Sequence, residues 1–345
     1  MNKCELPYNK ELAKRFVSDC NLPIPIIDET FFYHLNCYED DYGAYTKYCN
    51  LIKTIEERFN NDIEAFLKYY YGVRDNIIET VTNSDAYRYF NTMPMNRYEI
   101  KDKPSITHNN IFNEDNIGNW FISIDLKKAN FQALNLVDKE ILFNSDTYED
   151  FISKFSDISY IKESKYTRQV IFGKFNPKRN ITVEKYYTTQ LFKVLNGKFI
   201  TLKDRCVSLA NDEVIFKITK LNNGIAKKII LDIEKTAKEM GLDVRAEYFM
   251  LEGYQLLCKG NPHFRHVFFT KTGKKKLYCI PLPFHSIAYN LYKGHMLQEQ
   301  NYLIPYEGLT AKLKGEFYLE KLNGISQIRP EGTLLFNRNK KDEHI

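Results

Sequence analysis

Two short apolar runs, Cys206 to Ala210 and Val214 to Ile218, are separated by the polar residues Asn211-Asp212-Glu213. Runs of this length around an Asn-Asp pair predict a β-hairpin with its turn at Asn211-Asp212, since both side chains tolerate left-handed backbone. The fold must therefore build a sheet around this hairpin and carry Asp212 at its tip, where an acid is costly unless it binds something. Most Asn-Asp turns are only turns, so the hairpin alone assigns no chemistry.

Two further stretches add to it. Trp120-Phe121-Ile122-Ser123-Ile124 reads as another strand, and it ends on Asp125. Between the two acids lies Lys165 to Asn176, in which Arg168, Phe172 and Gly173 form the pattern basic-x-x-x-Phe-Gly. Acid at a strand end, basic and aromatic helix, acid at a hairpin tip is the inventory for phosphoryl transfer to a nucleotide. Two carboxylates hold divalent metal and cations hold the triphosphate. Past the hairpin, Ile225, Ile229, Ile233, Ala237 and Met240 have helical spacing, with Gly241 as the stop signal, and Val244 to Met250 reads as a strand.

Charge follows the same layout. The whole chain of 345 residues carries +5, yet Lys162 to Arg205 holds 11 Lys/Arg against 3 Asp/Glu. Tyr166, Phe172, Phe175, Tyr186, Tyr187 and Phe192 interleave these cations, a mixture suited to phosphate contact and base stacking, although a solvated lysine-rich face has the same composition. No apolar run approaches 18 residues, so no membrane partner is expected. Seven scattered cysteines without a C-x-x-C read as reduced thiols of an intracellular, cytoplasmic protein. There is no G-x-x-x-x-G-K-[ST] loop and no G-x-S-x-G, and His263-x-x-His266 lacks nearby acids or cysteines to complete a zinc site.

With these motifs the chain resembles the palm of a right-handed nucleic-acid polymerase. The letters are similar to the DNA polymerase I family: Asp125 matches the strand-end Asp, Asp212-Glu213 match the acidic pair with Asn211 in place of His, and Arg168, Phe172 and Gly173 match the middle motif. Asn176-Pro177 stand where that family has Tyr-Gly, and Asn130 stands where it has a ribose-excluding Glu. The spacing, 48 residues from Asp125 to Gly173 and 39 from Gly173 to Asp212, is closer to reverse transcriptases and viral RNA polymerases, which usually carry Asp-Asp at the hairpin.

The resemblance implies an α+β fold with a palm-type antiparallel sheet backed by helices. It divides the chain into a helical N-terminal region at 1–117, fingers- or thumb-like, a palm with an inserted basic helix at 118–250, and a small α/β region at 251–345, thumb-like or accessory. It implies a magnesium- or manganese-dependent nucleotidyltransferase, most simply a template-directed DNA polymerase of viral or phage type, with template, primer and nucleoside triphosphates as partners. Reverse transcriptase or RNA-synthesising activity on the same palm, and an inactive nucleic-acid-binding palm, are the alternatives. Asp125 and Asp212 would hold metal, with Glu213 in support. Lys165, Arg168, Phe172, Gly173 and Asn130 would contact the nucleotide, with Phe131 as the alternative sugar gate. Lys174, Lys178, Arg179, Lys274 and Lys275 would contact nucleic acid.

Elsewhere, helices are expected at Lys10 to Cys20, Ala44 to Phe59, Ile63 to Tyr71, Asn76 to Phe90 and Ser286 to Lys293, with a polar linker from Asn91 to Asn119. Tyr69-Tyr70-Tyr71 before Gly72 reads as a buried helix end or as a stacking platform. His266 to Thr270 and Lys276 to Ile280 flank a cationic turn and read as a β-hairpin, either a grip on a duplex backbone or a solubility device.

Overall fold

A computed structural model describes residues 7–323. The N-terminal part is helical: α1 (Lys10–Asp19), α2 (Phe31–Cys37), α3 (Glu39–Tyr42), α4 (Ala44–Phe59), α5 (Ile63–Asn83) and α6 (Asp85–Thr92). Caps begin several of these helices. Asn9 accepts from the Leu12 N–H at 2.9 Å and Asp62 from the Ala65 N–H at 2.9 Å, satisfying donors that a helix start leaves open. The break expected at Gly72 is absent, because α5 runs through it. Tyr70, Val73, Ile77 and Val81 all bury at i+3 or i+4 spacing, and that burial outweighs the roughly 1 kcal/mol that a mid-helix glycine costs. Tyr70 is therefore a core residue and not a stacking platform.

Next come β1 (Trp120–Leu126), α7 (Ala129–Val137), α8 (Tyr148–Ser153), α9 (Ser159–Glu163), α10 (Lys165–Gly173) and α11 (Pro177–Lys198). They are followed by β2 (Cys206–Leu209), β3 (Glu213–Ile218), α12 (Asn223–Glu239), β4 (Val244–Cys258) and β5 (Asn261–Lys271). The chain closes with α13 (Leu282–Tyr292), β6 (Leu303–Tyr306), β7 (Leu309–Lys312) and β8 (Phe317–Leu322). One antiparallel sheet runs in the order β2-β3-β1-β4-β5, with β8 also on β4, and β6-β7 form a separate pair. Strands β1, β2, β3 and β4, with α11 and α12 as their crossovers, make a β-α-β-β-α-β unit, and α7 to α10 are inserted before α11.

Strand alternation sorts the side chains onto two faces. Ile122, Ile124, Leu126, Val214, Phe216, Val244 and Ala246 pack with Leu191 and Leu195 of α11 and Ile233 and Ala237 of α12. Each large aliphatic side chain buried there stabilises by about 1.5–3 kcal/mol. The opposite face carries Phe121, Ile215, Phe249 and Phe269, and beyond them a polar end with Ser123, Asp125, Glu213, Arg245 and Glu247. A third cluster joins the N-terminal helices to Phe131, Phe151, Phe172 and Phe175, and also to Leu256, Phe268 and Tyr289.

The segment before β1 does more than connect. Ile111 and Ile117 are buried on the sheet, Asn109 Nδ2 donates to the Val207 carbonyl at 2.9 Å, and Ile117 sits over Gly253. At that point β4 exchanges β1 for β8, and a Cβ on Gly253 would lie 2.2 Å from Ile117 Cδ1. The cationic turn after β5 also differs from expectation. His266 to Thr270 pairs with β4, and the return segment makes only the bridge Phe269–Tyr278. The longer apolar strand β4 offers more backbone partners than the short Lys276 to Ile280 run.

Candidate active site

The β2–β3 hairpin forms where the apolar runs predict it, closed by the Ala210 N–H donating to the Glu213 carbonyl at 2.8 Å. Neither Asn211 nor Asp212 needs left-handed backbone to make the turn. The β1–β3 register sets Asp125 directly opposite Glu213, and the Leu126 N–H donates to the Asp212 carbonyl at 2.9 Å. The three acids separated in sequence thus meet at one end of the sheet. Ser123, two residues before Asp125 on the same face, donates to Glu213 Oε1 at 2.6 Å and fixes its rotamer.

Their charges act on one another. Burial first, then Asp212 and Glu213, push the Asp125 carboxyl up to about 6, against the opposing pull of Arg245 and Lys271. Glu184 on α11 joins this set. Burial and then the charge of Asp212 push it up to about 7, and its Oε1 has no hydrogen-bond partner. The raised carboxyls of Asp125 and Glu184 both lie in the field of Asp212, and every side-chain donor in the set is an oxygen. Asp125, Asp212 and Glu213 offer oxygen donors of the kind a hard divalent cation takes, but among the described residues no group of three or more His, Cys, Asp or Glu is arranged as a metal site.

Cations line the other flank. Arg245, opposite Asp125 on β4, approaches it at 3.6 Å and Glu247 at 3.6 Å. Glu247 also holds Lys271 Nζ at 3.2 Å and Lys274 Nζ at 3.4 Å. Although burial opposes its charge, these cations keep its pKa below the usual value. Lys276 is pushed down by desolvation, then by the neighbouring charges of Lys165, Lys271 and Arg245. Arg245, Lys165, Lys271 and Lys276 thus lie within one another's fields, and of these Arg245 and Lys271 also act on Asp125. A groove of about 530 Å3 passes the other side of Asp212, lined by Lys103, His108, Lys185 and Thr189.

Other expected contacts resolve differently. Lys165 opens α10, whose N-cap Ser164 also donates to buried Asp19 at 2.8 Å, so the helix start is anchored. Arg168 stacks over the Tyr148 ring at 5.6 Å. Phe172 is 1% exposed and packed among Phe131, Tyr148, Phe151 and Phe175, so it cannot cover a nucleotide. Phe131 is also buried, at 4% exposed, which removes it as a sugar gate without rearrangement. Gly173 ends α10 exposed, with nothing near its Cβ direction. Asn130 lies five residues past Asp125, and its carbonyl accepts from Asn180 Nδ2 at 3.3 Å.

Lys174 and Lys178 are exposed near the α10–α11 junction, where Asn176 caps α11. Arg179 instead turns inward: it donates to the Met93 carbonyl, and its guanidinium lies 5.5 Å over Phe90, so it braces the N-terminal helices. Lys274 and Lys275 are exposed in the turn after β5, with Lys275 5.3 Å from the Tyr292 ring. Glu184, Arg245, Lys271 and Lys276 were not expected from the sequence. A helical series of polar residues, Asn180-Glu184-Thr188, was the available signal for Glu184. No protein-family model, curated protein or solved structure matches this chain. Among the described residues no helix is long and apolar enough to cross a membrane.

Proposed function

We propose that this chain is a palm-type nucleotidyltransferase, a template-directed nucleic-acid polymerase with DNA as the expected product. The observation that carries the reading is the convergence of Asp125 with Asp212-Glu213 at one end of a β-α-β-β-α-β sheet. The cations Lys165, Arg245, Lys271 and Lys276, which lie within one another's fields, support it.

In this reading Asp125 and Asp212 hold magnesium or manganese, while Glu213, fixed by Ser123, adds negative charge and orientation. Divalent ions held there would supply Lewis acidity to the transfer. Lys165, Lys271 and Lys276 meet the triphosphate and offset charge that develops on its oxygens. Glu247 holds Lys271 in place beneath that charge. Arg168 stays within the same helix as Lys165 and assists from there. Template and primer phosphates fall to Lys174, Lys178, Lys274 and Lys275, with the Lys103–Lys185 groove as a further track.

Arg245 favours a second reading, an inactive nucleic-acid-binding palm, because its guanidinium already approaches Asp125. Primer extension with DNA or RNA templates and deoxy- or ribonucleotides, in magnesium or manganese, separates the readings. Incorporation supports the polymerase and its preferred combination defines the class. Nucleic-acid binding without incorporation in any combination leaves the inactive palm.

A further inference from the structure

Helix α7, the start of α8 and the turn from α12 to β4 enclose a cavity of about 430 Å3. Leu136 and Gly241 are on its wall, so it borders the helix-backed core and not the face that carries Asp125 and Glu213. Gln132 ties two of its sides together: Oε1 accepts from the Asp243 N–H at 2.8 Å, and Nε2 donates to the Asp243 carbonyl at 2.7 Å. Thr147 and Asp150 close a capping box that fixes the start of α8. The walls are therefore set before anything binds.

Two polar groups of this wall have no partner. Asn135 Oδ1 and the hydroxyl of Tyr148, a residue 1% exposed, are both buried without a hydrogen bond, a state that costs stability unless something meets them. Phe131, packed edge-to-face on Tyr148, adds a second ring. The rim carries Lys127, Lys128 and Lys139, but each holds a carboxylate: Asp243 at 2.9 Å, Glu149, and Asp146 at 2.9 Å respectively. An anion would have to displace one of these ion pairs to bind.

We propose that this cavity binds an uncharged planar heterocycle of the nucleobase type, presented as a nucleoside. Asn135 Oδ1 accepts from an N–H of the base, and the Tyr148 hydroxyl makes the second hydrogen bond. One acceptor and one hydroxyl on the same wall match the mixed donors and acceptors along such a ring edge, and the aromatic walls suit its faces. A purely apolar ligand would leave both orphaned groups unmet, and a phosphate would find on this wall only cations already paired. The site is separate from the acids and does not depend on the palm reading.

Full-length protein titrated with adenosine, guanosine, cytidine and uridine in the absence of divalent cations, read by saturation-transfer NMR and by Tm, tests this. At least one nucleoside should bind and raise Tm. N135L and Y148F should each weaken its affinity by about 3- to 10-fold, the contribution of one neutral hydrogen bond, and the double variant should lose it. D125N should bind as the wild type does. The ligand-free Tm of N135L and Y148F should not fall, because each removes a buried polar atom that has no partner. Y148F keeps the ring and its packing, so it carries the test if N135L disturbs α7. Wild-type affinity in Y148F and N135L, or loss of binding in D125N, would place the nucleoside elsewhere and overturn the proposal. Absence of binding by all four nucleosides would overturn it too, while primer extension tests the palm reading independently.

Discussion

Asp125 on β1 and Glu213 on β3 are direct cross-strand partners, although 87 residues separate Asp125 from the neighbouring Asp212. The pairing is a consequence of the β1–β3 register, in which Ile122, Ile124 and Leu126 must face the helices. A slip of one residue would turn those side chains to the open face and take Asp125 away from Glu213. Burial of the apolar face therefore holds the acids together, at a location where their mutual repulsion opposes it.

Removing either aspartate should abolish chemistry without unfolding the protein. On the proposed reading, D125N and D212N are expected to reduce nucleotide incorporation by ~100-fold or more, since several kcal/mol of charge stabilisation would depend on the ion they would hold. Because the amides relieve repulsion, Tm should stay equal or rise. Full incorporation by D212N would remove it from the catalytic set.

The cations should separate by role. K271A and K276A are expected to raise the KM for nucleotide, with K165A in the same direction. K178A should chiefly weaken template binding and flatten its salt dependence, by a log–log slope of about 0.7–0.9 for each phosphate no longer neutralised. Affinity insensitive to salt would return Lys178 to a solvated surface.

Phe172 and Arg179 should behave as structural residues. F172A is expected to cost about 3–5 kcal/mol in denaturant unfolding, the range for a fully buried Phe. R179A should cost about 1–3 kcal/mol, because it strands the Met93 carbonyl and uncovers Phe90. A selective rise in nucleotide KM with unchanged stability would contradict this placement.

Sugar choice should depend on Asn130 and not on Phe131. An amide is smaller than a Glu side chain and can donate or accept a hydrogen bond, so deoxynucleotide preference with measurable ribonucleotide incorporation is expected. N130A should change that ratio, while F131A should only lower Tm. An unchanged ratio in N130A would mean this loop does not touch the sugar.

Stability of the metal-free protein should fall as pH rises from about 4.5 to 7. The folded pKa of Glu184, about 7, lies above the ordinary 4.5, so the native state binds the extra proton within that window and loses its advantage above it. For this largely buried group the effect is of order 3 kcal/mol. Asp125, raised to about 6, acts in the same direction, moderated by its partial exposure. The unfolding midpoint of wild type minus that of E184Q, measured from pH 4.5 to 8, should decrease steadily. A flat difference would show that Glu184 does not titrate in this range.

Local pattern alone located most of the elements. The hairpin, the strand ending at Asp125, the α12 periodicity and the Ala44–Phe59 helix were all legible, because turn chemistry and side-chain period act within a few residues. From those it followed that Asp125 and Asp212 lie at strand ends. The basic-x-x-x-Phe-Gly pattern misled in part. Phe172 and a nucleotide-facing Phe have the same local neighbours, and only packing against Phe131, Phe151 and Phe175 distinguishes them. Likewise Glu184 reads as one acid in a basic stretch until α11 is laid behind the hairpin. Arg245 and Lys271 reach the acids only through the β1–β4 and β4–β5 registers, and Lys276 comes near Lys271 only through the turn after β5. Charge at a position is written in the chain, whereas desolvation and convergence come from segments distant in sequence, and those two quantities shift the pKa of a carboxylate or an ammonium.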